Sequence, residues 1–301
     1  MGDFSLAVGM IPVAGLSSNF KKATTVFELA PNLSVINFPV AAAKRFGKLS
    51  VGAGLAGALG SASINSSKIP FTNSQSKRNP NHQLSWNYNA GILYKLTPEL
   101  DYGLSFRSPT YFKFKRQTDL ESYVGVSGTE LDDLRVEIPA ELGTGFTFAN
   151  HLGVFTLEGK HIFWEEARGF KDYGWKNQDV LSLSWLKAWE KFKLSLGYAY
   201  STQVFSSKSN EDGKVARKVD GVSLTQQNIS YFNVVGYPAI LKQHYSIGFH
   251  YELNSTYTLN SSYMYCPPET ISRSGTGNFG AYDYSTKISL SFINFGLTAN
   301  W

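Results

Sequence analysis

From His244 to Tyr265 the chain reads HYSIGFHYELNSTYTLNSSYMY, and two kinds of side chain take turns along it. Tyr245, Ile247, Phe249, Tyr251 and Leu253 form one row, against His244, Ser246, Gly248, His250 and Glu252. After Asn254-Ser255 the alternation resumes, with Tyr257, Leu259, Tyr263 and Tyr265 against Thr256, Thr258, Asn260 and Ser262. Successive side chains of a strand point to opposite faces, so this pattern is that of two strands with unlike surroundings on their two sides. An antiparallel sheet with one face on a core and one in water would write it. So would a membrane barrel with lipid outside and a polar lumen inside. The alternation alone does not choose between them.

The same writing recurs along the chain. Leu84, Trp86, Tyr88, Ala90, Ile92, Tyr94 and Leu96 oppose Gln83, Ser85, Asn87, Asn89, Gly91 and Lys95. Further apolar rows are Leu49 to Leu59, Tyr102 with Leu104 and Phe106, and Leu194 with Leu196, Tyr198 and Tyr200. The last strand sets Phe295, Leu297, Ala299 and Trp301 against Asn294, Gly296, Thr298 and Asn300, and its phase slips at Phe292-Ile293, which predicts a bulge there. At the start, Asp3 stands where a secretory signal needs a basic residue, and FSLAVGM alternates, so it is read as a strand.

The connections favour the barrel. Tight ones, at Phe46-Gly47, Thr97-Pro98-Glu99, Asn150-His151, Ala188–Glu190 and Asn254-Ser255, take turns with long polar segments at roughly 62–82, 115–134, 166–177, 204–239 and 266–283. Short turns on one side and long loops on the other are the outer-membrane layout, with periplasmic turns and extracellular loops. Residues 1–301 are therefore read as one all-β domain, a transmembrane antiparallel β-barrel of about twelve strands. Trp86 and Tyr94 lie on one row, roughly 20 Å apart in membrane height for a strand tilted by ~40°, close to the spacing of aromatic girdles. The longest uncharged runs, Phe4–Phe20 and Leu49–Ser67, are broken by Gly, Pro and Ser and are not spanning helices. A barrel hides from hydropathy because half of each strand is polar, so a mean hydropathy of −0.19 is no objection.

Other chemistries find little support. The single Cys266 excludes an internal disulfide, and a net charge of +5 with scattered basic residues is no nucleic-acid footprint. GAGLAG at Gly52, Gly54 and Gly57 matches a dinucleotide fingerprint, but polar loop residues follow where a helix is needed, so small residues on a strand are the better reading. His244 and Ser246 share an inward face, as in a lumenal lipase, yet no third partner is readable. His82, His151, His161 and His250 lack metal-ligand spacing, and no cofactor is expected. By phase, Arg107, Glu141, Glu158 and Lys160 point inward. An inward Arg or Lys in a partly dry lumen can meet a carboxylate head group, and Phe106 and Phe112 flank Arg107 in sequence.

Several stretches in order resemble the long-chain fatty-acid outer-membrane transporters of the FadL/TodX type. They include LSWNYNAGILYKLTPELDYGLSFRSPTYFKFK, RVEIPAELGTGFTF, LEGKHIFWEEARGFKDYGWKNQDVLSLSW and YPAILKQHYSIGFHYEL, and the similarity runs along essentially the whole chain. The more specific pieces are the strand Asn89–Tyr94 followed by the FRS strand, the IPAE strand entry and the DYGWKNQD loop. The resemblance implies a fourteen-stranded barrel, plugged by an N-terminal hatch, that passes fatty acids or aromatic hydrocarbons by diffusion and releases them sideways at an inward kink of the third strand. Phe4–Leu16 aligns with that third strand, so the hatch and first two strands have no counterpart in this sequence. Gly9, Pro12 and Gly15 would then form the kink, with Pro12 lacking an amide proton and the glycines easing the bend. The expected protein is a monomeric, non-catalytic channel of the bacterial outer membrane, with lipid around it and a hydrophobic small molecule as ligand. Its ligand-binding residues would be Arg107, Lys160, Glu158, Phe106 and Phe112. A hatchless pore for polar solutes and a lumenal lipase are the alternatives.

Overall fold

The computed structural model describes residues 4–18, 29–66, 80–117, 127–130, 132–219, 222–278 and 280–299. One large sheet dominates it. β1 (Phe4–Val8) and β2 (Ile11–Ser17) both pair with β3 (Leu29–Phe46), which pairs with β4 (Leu49–Ser66) along its whole length. β5 (Asn81–Lys95) and β6 (Leu100–Arg107) follow. Pro109 then interrupts the ladder, and the chain leaves the sheet as a separate hairpin, β7 (Thr110–Phe114) with β8 (Leu134–Ile138). It rejoins through β9 (Glu141–Asn150), β10 (Gly153–Ile162), β11 (Gln178–Trp189) and β12 (Phe192–Ser201).

Between β12 and the next wall strand lie β13 (Lys208–Asp212), the hairpin β14 (Ala216–Val219) with β15 (Val222–Thr225), the helix α1 (Gln226–Tyr231) and a π-helical turn, Phe232–Gly236. Thr225 caps α1 by accepting from the Asn228 amide at 3.3 Å. β16 (Gln243–Glu252), β17 (Tyr257–Gly277) and β18 (Gly280–Ala299) complete the wall. Among the described residues the sheet has fourteen strands. β1 and β2 are the halves of one interrupted strand and β13 is a short parallel addition beside β17, so the antiparallel wall has the dozen or so passes expected. Its edges are β1–β2 and β18, each paired on one side among the described residues.

Register fixes the two faces. Leu49, Tyr94, Tyr102, Phe146, Leu157, Leu183, Tyr198, Tyr245 and Tyr265 stand side by side on successive strands, an apolar and aromatic row around the outside. Side chains of this outer face stay largely uncovered, Leu84 at 82% and Trp86 at 67%. An exposed apolar band of that extent is a lipid-facing surface. No described helix is long and apolar enough to cross a membrane, as a strand-built wall requires none.

Two expectations about the wall are corrected. The segment 266–283 is not a loop but the long upper part of the β17–β18 hairpin. Pro267-Pro268 withholds two amide protons and forces a bulge between Cys266 and Glu269, after which pairing resumes up to Gly277 and Gly280. The irregularity therefore lies on β17, and β18 runs through Phe292-Ile293 in unbroken register.

Candidate functional site

The long-loop end of the wall does not stay open. Loop side chains fold inward onto the upper inner face and build the largest buried apolar cluster among the described residues. Trp175 is its centre, 1% exposed, with ring contacts to Trp164 at 4.8 Å, Phe170 at 4.7 Å and Phe205 at 5.6 Å. Its indole N–H donates to Asn233 Oδ1 at 2.9 Å, and Asn233 Nδ2 donates to the Tyr173 carbonyl at 2.9 Å, so the tryptophan's polar atom is satisfied in the dry interior. Tyr173 stacks on Phe232 of the π-helical turn at 4.0 Å. From the other side the β7–β8 hairpin contributes Phe112 and Phe114. They lie against Gly60 of β4, where a Cβ would come within 2.7 Å of the Phe112 ring. Only glycine leaves room for the hairpin there.

Polar bonds hold this plug to the wall. Glu211 of β13 and Arg273 of β17 meet at 3.4 Å with side chains 7% and 6% exposed. Ser230 Oγ donates to Glu211 at 2.6 Å, the Tyr282 hydroxyl donates to it at 3.1 Å, and Arg273 Nε donates to the Ser206 carbonyl at 3.1 Å. Such a pair tolerates burial because its remaining donors and acceptors are used. At the edge strand, Ser18 Oγ reaches the carbonyls of Val235 and Gly236 at 2.9 and 2.8 Å, tying the end of β2 to the π-helical turn. Burial pushes the Tyr231 hydroxyl up to about 12, and burial raises that of Tyr237 as well, so both stay neutral across ordinary pH.

Below the plug lies a cavity of about 730 Å³, in the size range of small-molecule sites. Small inward residues carve it: Ala41, Ala43, Gly52, Gly91, Gly103 and Gly145 remove the side chains that would fill the space. Leu93 adds an apolar lining beside Gly103, its register partner. The cavity's charges gather on β6, β9 and β10. Arg107 Nη2 bonds Glu141 Oε1 at 2.7 Å, and Lys160 Nζ approaches Glu141 Oε2 at 3.5 Å. Glu158 lies in the same cavity, two residues from Lys160 on the same face. The Arg107 Nε is buried and has no partner among the described residues, so the cluster leaves it as a free donor.

Three of the five candidate ligand residues are thus brought together, Arg107, Glu158 and Lys160. Of the other two, Phe106 borders the same cavity but from the outward row, and Phe112 does not line it. Phe106 is in register with Ala90 and Leu142 on the outer face, as the immediate neighbour of an inward residue must be. Phe112 belongs to the plug. Gly9, Pro12 and Gly15 lie on the β1–β2 edge. There pairing slips by one residue between Pro12 and Ala14, leaving Val13 as a bulge. The Gly9 amide still donates to the Pro39 carbonyl at 3.1 Å. His244 and Ser246 share the inner face as read, but their register partners are Ala199, Gly197 and Met264, none an acid or base. No group of residues able to hold a metal is present among the described residues.

A Pseudomonas aeruginosa FadL homologue superposes over 98% of this chain and 74% of its own, with a TM-score of 0.68 at 15% identity. The chain has the fold of the FadL-type channels. The Ralstonia pickettii toluene transporter TbuX matches over 98% of this chain and 78% of its own, with a TM-score of 0.59 at 12% identity. The Pseudomonas putida toluene transporter TodX matches over 97% and 79%, also with a TM-score of 0.59, at 15% identity. No protein-family model and no curated protein sequence matches the chain. The likeness to the FadL-type wall is one of backbone, and the lumenal residues of this chain have to speak for themselves.

Proposed function

We propose that the protein is an outer-membrane channel that takes up hydrophobic small molecules, long-chain fatty acids or aromatic hydrocarbons, by passive diffusion with lateral exit. The observation that carries this reading is a cavity walled by small residues, closed from the loop side by an aromatic plug and bordered by an edge strand with a bulge. A plug of Trp, Phe and Tyr side chains admits apolar cargo by local repacking and resists ions. The reading involves binding and release, with no bond made or broken.

Arg107 is assigned to head-group recognition. In wild type an incoming carboxylate competes with Glu141 for the guanidinium and gains the free Nε. A charge-assisted bond is worth about 1.5–3 kcal/mol, so Arg107→Ala is expected to weaken binding of a fatty acid to the purified protein roughly tenfold or more. Binding of an uncharged hydrocarbon should barely change. Equal losses for both ligands would remove Arg107 from the role.

The exit is assigned to β1–β2. Pro12 has no amide proton to give, Val13 is already out of register, and the Ser18 bonds couple this strand to the plug. Movement of the π-helical turn would therefore pull on the strand that opens. Pro12→Val restores an amide and should raise thermal stability while lowering uptake by cells several-fold. A folded variant with unchanged uptake places the exit elsewhere.

A further inference from the structure

Above the Arg107 cluster, Ala56 and Ala58 of β4 are flanked on the lumenal face by two asparagines. Asn87 of β5 is in register with Ala56, and Asn37 of β3 with Ala58. Both are buried, at 1% and 5% exposure. Among the described residues, neither amide atom of Asn87 has a hydrogen-bond partner, and nor does Oδ1 of Asn37. Buried amides are paired in nearly all folded proteins because leaving one unpaired is costly, so three such atoms in one patch need a reason. An apolar residue of similar shape would close the wall at less cost.

The patch has a defined place on the route. The base of the β7–β8 hairpin lies against β5, where Ser108 bonds the Tyr88 backbone in both directions. Further along the hairpin, Phe112 rests on Gly60, two residues beyond Ala58 on the same face of β4. On the other side, Asn89 is the next inward residue of β5 after Asn87. Asn89 lines the cavity in register with Arg107, whose Nε is also unpartnered. Polar inward side chains therefore follow one another along β5, from Asn87 near the hairpin base to Asn89 beside the charged cluster.

We propose that Asn37 and Asn87 form an upper subsite for the uncharged hydrogen-bonding head of an amphiphile, such as a hydroxyl, on its way from plug to cavity. A primary amide offers both donor and acceptor without charge, and a hydroxyl answers both at once. A bare hydrocarbon leaves the amides unpaired on its path, and a site built to hydrogen-bond its ligand discriminates strongly against the analogue that lacks the group. This inference rests on the uptake reading above and narrows it, from apolar cargo in general to chains that carry a polar head.

The test compares uptake of labelled dodecanol and dodecane by cells expressing the full chain, wild type against Asn87→Leu and, separately, Asn37→Leu. Alcohol uptake should fall about tenfold in Asn87→Leu, the size of one lost hydrogen bond. Alkane uptake should hold or rise, and the variant should be at least as heat-stable as wild type. Matched losses of both compounds in a folded variant, or no loss of either in both variants, would overturn the subsite while leaving uptake intact. A wild type that takes up neither compound would overturn the uptake reading itself, and the subsite with it.

Discussion

Replacing Ile247 with arginine is expected to destabilise the protein refolded in lipid vesicles by about 2–4 kcal/mol, the cost of a cation at mid-membrane on the lipid face. Ser246→Arg, one residue away, should cost well under half of that. The contrast follows from register. Ile247 stands between Leu196 and Tyr263 on the outer row, whereas Ser246 stands between Gly197 and Met264 and projects into the lumen. Denaturant titration of the two variants measures the difference. Equal losses would mean that the faces are wrongly assigned, and the lumenal placement of Arg107, Lys160 and Asn87 would fall with them.

The wall was legible in the sequence because period two runs through most of the spanning strands, and a one-residue error would turn each apolar row inward. The inward positions of Arg107, Glu141, Glu158 and Lys160 followed from the same phase, and pairing brought Arg107, Glu141 and Lys160 into contact. Phe106 is named beside Arg107 by closeness in sequence; the periodicity puts it on the outward row, from which it still borders the cavity. The plug was not legible. Phe170, Trp175, Phe205 and Tyr237 are sparse apolar residues without periodicity in segments that read as polar loops, and nothing local says whether a loop folds over the lumen or away from it.

The Glu211–Arg273 pair was hidden for a related reason. Its members are 62 residues apart, both in stretches taken for loops, and they meet only because β17 extends past its proline bulge. Gly275 makes that meeting possible, since a Cβ there would lie 2.2 Å from the Glu211 carbonyl oxygen. The upper hairpin was missed because two consecutive prolines ordinarily end a strand, and here they only interrupt it.

Trp175→Ala is the second large effect expected. Truncating a fully buried tryptophan costs about 3–5 kcal/mol. The loss falls on the plug, where it also leaves the Asn233 side-chain Oδ1 without its donor. The wall strands are held by their own backbone pairing, so the variant should still fold into membranes with its plug loosened. Protease sensitivity of the loop segments should rise while heat resistance of the wall is kept.

The ion current through the protein in a planar bilayer, read beside uptake of a labelled hydrophobic compound by cells expressing it, bears most directly on the account. The expected wild type takes up the compound above control cells and passes almost no steady current, whereas Trp175→Ala conducts. A wild type with a steady open-pore current and no hydrophobic uptake would contradict the account and make the chain a pore for polar solutes.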